Sequence, residues 1–105
     1  RAQLDQQASR VDSASYRVME RSETIALQVV REYLEFLLQS RIVAESQENV
    51  RVHQALRGDI GSLISSGTLT EADSQQADER LLAARARLQE ATEALQQVKI
   101  SLLPL

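Results

Sequence analysis

The sequence predicts an all-α protein, an antiparallel coiled-coil hairpin with one long helix and one shorter helix. Three observations carry that prediction. The first 57 residues contain neither proline nor glycine. Apolar residues recur at steps of three and four on both sides of a single hydroxyl-rich turn. Aromatic side chains make up only 3% of the chain, and the apolar content is mostly Ala, Leu, Val and Ile, which suits narrow helical seams better than a broad core.

The first element is expected over about residues 2–65. Its stripe runs Leu4, Ala8, Val11, Ser15, Val18, Ser22, Ile25 and Val29, then Tyr33, Phe36, Ser40, Val43, Gln47 and Val50. Steps of three and four keep these positions on one face of a helix. From Ile25 to Ala44 a second side is apolar as well, through Leu27, Val30, Leu34, Leu37, Leu38 and Ile42, which predicts burial against more than one neighbour. Tyr33 and Phe36 read as seam fillers. Arg31 with Glu35 and Arg41 with Glu45 read as solvated pairs one helical turn apart, worth a few tenths of a kcal/mol.

The turn, about residues 66–69, lies in "LISSGTLTEAD". Gly67 is placed to close the first helix in the left-handed conformation, and Thr70 with Asp73 three residues later forms a capping box for the second. Gly58 and Gly61 permit close approach of another backbone or weaken the helix by ~1 kcal/mol each relative to Ala. His53, the single histidine, has no second ligand type nearby and reads as a surface group near the tip rather than a metal site.

The second element, about residues 70–102, is a heptad repeat: Ala77, Leu81, Ala84, Leu88, Ala91, Leu95, Val98 and Leu102. Small Ala seats draw the partner backbone close, and Ala83, Ala86 and Ala94 form another small-residue edge. Pro104 ends the helix. A short connection makes the helices antiparallel neighbours, with Leu88 near Ser46 and Ala91 near Val43. The first helix, ~60 residues and about 90 Å long, then overshoots its ~30-residue, 45 Å partner. Its first thirty or so residues keep an apolar stripe without an intrachain partner.

Function classes narrow on the same grounds. The net charge is −3, and eleven Arg and one Lys are spread among carboxylates, so nucleic acid has no basic footprint to bind. The sequence lacks Cys, a Gly-rich phosphate loop and an apolar run long enough to cross a membrane. No catalytic grouping, metal site or cofactor site can be assembled around one His on two helices, so the chain is not expected to be an enzyme. It begins at Arg1 and reads as a piece of something longer.

The run "SGTLTEADSQQADERLLAARARLQEATEALQQV", Ser66 to Val98, resembles the descending helix of the TolC-like outer-membrane efflux and type I secretion channels. Gly67, Asp73, Ala77, Leu81, Ala84 and Leu88 fit the family's pattern of a turn glycine, an Asp, an Ala and a Leu/Ala ladder. "RVDSASYRVMERSETIALQVVREYLEFL", Arg10 to Leu37, is similar to the start of the ascending helix that follows the family's first pair of barrel strands. The unequal arms agree with the family's layout. The resemblance implies one hairpin of a periplasmic α-helical barrel, with no β-barrel part, from a homotrimeric Gram-negative outer-membrane protein.

It also implies docking of Ser66, Gly67, Thr68 and Leu69 onto a periplasmic adaptor (membrane fusion) protein and, through it, an inner-membrane pump. This segment itself would lie in the periplasm, outside the membrane. Ser66 departs from the family, which often carries an apolar residue before the glycine, and so do Gly58 and Gly61 below the tip. A reading from another class is a generic coiled-coil scaffold or oligomerisation hairpin whose tip has no task.

Overall fold

In a computed structural model describing residues 2–104, the chain is a rod of 98 × 18 × 15 Å made of two helices. Helix α1 runs Ala2–Ser65 and helix α2 runs Glu71–Leu102. The fold is an all-α hairpin, and among the described residues there is no strand.

Helix α1 continues through Gly58 and Gly61 without a break, because neither residue is asked for a non-helical backbone. A Cβ built on Gly58 meets nothing within 4 Å, and one on Gly61 meets only the Nη1 of Arg57 at 3.6 Å. Neither glycine therefore serves close approach of α2. Helix α2 stops where expected: Leu103 donates its N–H to the Ile100 carbonyl at 3.2 Å, tightening the last turn just before Pro104.

The helices pack along a thin seam. All of Ala77, Leu81, Ala84, Leu88, Ala91, Leu95, Val98 and Leu102 are buried or half-buried, and Ala84 is only 1% exposed. Ser74, buried at 7% exposure, extends the same heptad one seat toward the turn. Across the seam α1 offers Phe36, Val43, Ser46, Val50, His53, Ile60 and Ile64, all half-buried. Arg57 bonds Asp78 through Nε, the only ion pair joining the two helices among the described residues.

Extending that register at equal rise puts Leu88 level with Ser46 and Gln47, and Ala91 near Val43 and Ala44. The Ala seats of α2 thus face larger side chains, Ala84 near Val50 and Ala91 near Val43, while Leu88 faces the short Ser46 and Leu81 faces His53. That pairing corrects two sequence expectations in α1. Leu88 lies near Ser46 as expected, but Gln47, placed on the stripe, is exposed and Ser46 holds the seat beside it. Tyr33 is 56% exposed and fills no seam, since the half-buried Glu32, four residues before Phe36, holds the seat under the last turn of α2; Phe36 is half-buried.

Ahead of Glu32 every described residue of α1 is exposed. Leu4, Val11, Val18 and Ile25 keep between 50% and 75% of their surface, so the arm's stripe is bare in the single chain. The second side is bare too, at Leu27, Val30, Leu34, Leu37 and Leu38, while Ile42 is half-buried. Arg41 pairs with Glu45 at 3.1 Å, but Glu35 takes its hydrogen bond from Gln39 at 2.9 Å rather than from Arg31.

Candidate functional site

The tip of the hairpin, built from residues 63–73, is where the backbone leaves helical geometry between α1 and α2. Gly67 has φ +82°, the left-handed region that favours glycine. This twist turns two amides back onto the helix end: Gly67 donates to the Ile64 carbonyl at 3.0 Å, and Thr68 donates to the Leu63 carbonyl at 2.9 Å. Together these bonds form a Schellman closure. Leu69 also donates to the Leu63 carbonyl, at 3.3 Å.

The other side of the turn is fixed by the capping box. The Asp73 amide donates to Thr70 Oγ1 at 3.4 Å, and the Thr70 amide donates to Asp73 Oδ2 at 3.0 Å. The Thr70 hydroxyl also donates to the same carboxylate oxygen, at 3.0 Å. The backbone amide and then the hydroxyl of Thr70 hold the Asp73 carboxyl below its ordinary range. Asp73 and Glu71 lie in the first turn of α2, where negative charge complements the helix dipole.

The hydroxyls of the tip are partly committed to one another. Ser66 Oγ donates to the Leu63 carbonyl at 2.9 Å and lies 3.0 Å from Thr68 Oγ1. Every amide from Ser66 to Thr70 has an intrachain acceptor. By contrast, the carbonyls of Ser66, Gly67, Thr68 and Leu69 receive no hydrogen bond from the described residues. The tip backbone is therefore tied down through its amides, uncharged from Ser66 to Thr70, and chemically one-sided: its amide donors are used within the turn and four carbonyl acceptors are not.

Of the four tip residues picked out from the sequence, Ser66, Gly67 and Thr68 are exposed and share the apex. Leu69 is half-buried and turns inward, lining a shallow groove of about 180 Å³ with His53, Leu56, Ile60 and Ala77. Leu69 thus ties the turn to the seam more than it presents a surface. His53 also departs from the surface position expected of it, since it is a half-buried seam residue. The seat of Ser74 was open to sequence reasoning, three residues before Ala77, but its position inside the capping turn hid the heptad.

Among the described residues, no group of His, Asp and Glu is placed to hold a metal ion, and no helix is long and apolar enough to cross a membrane. Comparison with known proteins gave no match. No protein-family model, curated protein or solved structure matches the chain.

Proposed function

We propose that this chain is one wall hairpin of a TolC-like, homotrimeric outer-membrane export channel, with its tip as the dock for a periplasmic adaptor. The observation that carries the reading is the built apex: a left-handed Gly67 between Ser66 and Thr68, with its amides spent and four carbonyls open. Such a surface suits a partner that brings side-chain hydrogen-bond donors on a narrow end. Two further features support it. The arms are unequal, and α1 carries bare apolar residues on two sides where a tube wall has helices on both flanks. The role is architectural, with no cofactor and no catalysis.

The test is photo-cross-linking in cells from a probe replacing Thr68 in the full-length parent. The expected product is an adduct with an inner-membrane-anchored adaptor, lost when Gly67 is replaced by a bulky charged residue in a protein that still folds. Efficient cross-linking only to another copy, or to an unrelated scaffold partner, would replace this reading by that of a coiled-coil oligomerisation hairpin. The bare stripe of the arm is the observation that favours the second reading.

A further inference from the structure

The N-terminal arm of α1 carries a vacant seam with the same internal order as the occupied one. In α2, one seat of the heptad holds Ala77, Ala84, Ala91 and Val98, and the other holds Leu81, Leu88, Leu95 and Leu102. In the arm, one seat holds Ala8, Ser15, Ser22 and Val29, and the other holds Leu4, Val11, Val18 and Ile25. Small residues are thus segregated from large ones in both. Parallel helices pair like seats, stacking small on small and large on large. Antiparallel helices pair unlike seats, so in two antiparallel copies of the arm small meets large, as the Ala84 and Ala91 seats of α2 meet Val50 and Val43 of α1.

The vacant stripe is continuous with the established interface. It lies on the face of α1 that α2 covers and begins where α2 ends, level with Glu32. Whatever fills it runs in line with α2. A second copy of the arm meets each requirement: it has the segregated seats, it is as long as the gap by symmetry, and it is uncovered itself. Placed antiparallel about a two-fold near Tyr16 and Arg17, it sets Leu4 against Val29, Ala8 against Ile25, Val11 against Ser22 and Ser15 against Val18 of the other copy, and the same pairs again by symmetry.

We infer that the 105-residue chain pairs with a second copy through residues 4–29, arm against antiparallel arm. Each partner's N-terminal end then abuts the end of the other's α2, and the assembly is a rod about 150 Å long. Eight seam side chains per copy over about 40 Å of helix give an interface near the lower end of the ~1,200–2,000 Å² that specific pairs bury, the size of a weak, concentration-dependent pair. The inference does not rest on the channel reading, in which a neighbouring helix of the same tube takes this stripe.

The test uses the whole chain. Sedimentation velocity from about 1 to 200 μM should show the mass rising from 11.7 kDa toward twice that value. Val18→Glu, beside the two-fold and 66% exposed in the single chain, should weaken pairing at least ~10-fold. Glu20→Lys, on the opposite face of the helix, should not. The chain has no cysteine, so spin labels on Gln3→Cys and Arg17→Cys report orientation. Two Gln3 labels should lie about 40 Å apart and two Arg17 labels within about 20 Å. A monomer at the highest concentration, a species larger than a dimer, an unaffected Val18→Glu, or Gln3 labels within about 20 Å of each other would each overturn the inference.

Discussion

Single residues decide the tip, and they do so by backbone preference more than by contact. A Cβ on Gly67 would meet nothing within 4 Å, yet φ +82° makes any L side chain there costly. Gly67→Ala should therefore lower stability by about 1 kcal/mol, with Gly67→Asn milder, whereas Gly58→Ala, in open helical geometry, should raise it by about 0.5–1 kcal/mol. Urea unfolding followed by circular dichroism checks both signs. Two glycines of one chain would then respond in opposite directions, because only Gly67 sits at a positive φ.

Asp73 supplies a pH dependence with a definite sign. Its folded carboxyl titrates below the ordinary value because the Thr70 amide and hydroxyl bond the charged form. The contribution is fully present above the unfolded pKa of about 4 and is lost as pH falls through the lower folded value. Thr70→Ala should cost about 1 kcal/mol at neutral pH and bring the Asp73 titration, followed by NMR of the side-chain carboxyl, back toward its ordinary midpoint. A wild-type midpoint at or above that value would contradict the cap.

At the scale of the element, the seam is held by spacing. Ala84 is almost fully covered, so α1 lies as close as a methyl group allows. Ala84→Leu should force the helices apart at a cost of about 1–3 kcal/mol, while Leu82→Ala, at a residue 62% exposed on the far side, should cost less than about 0.5 kcal/mol. Thermal unfolding of the two variants side by side measures the contrast. The α2 heptad was legible because small and large apolar seats alternate from Ala77 to Leu102, with Val98 the last of the smaller set. The α1 seam was harder to place, because Ser46 and Gln47 are adjacent and polar, and only the presence of Leu88 opposite selects between them.

For the whole molecule, the hairpin and the arm are different kinds of helix. Residues 32–102 have a partner helix, but residues 2–31 have none within the chain, and a lone amphipathic helix of that length is marginal in water. Removing residues 1–30 should leave the unfolding midpoint of the hairpin within a few degrees of the parent and abolish concentration-dependent helicity. A collapse of the hairpin on truncation would show that the arm supports it. The exposed stripe thus marks where intrachain stabilisation ends and assembly begins.

The sequence by itself determined the two helices, the left-handed glycine, the capping box and the Leu/Ala ladder, because each is a local matter of backbone preference or periodicity. Tertiary structure alone decided that Gln47 leaves the seam and His53 and Leu69 turn into it, that Tyr33 stays bare, and that the tip spends its amides and leaves its carbonyls open. Those outcomes depend on where the shorter helix stops and what lies opposite each seat, and periodicity along one strand of sequence does not contain the register between two.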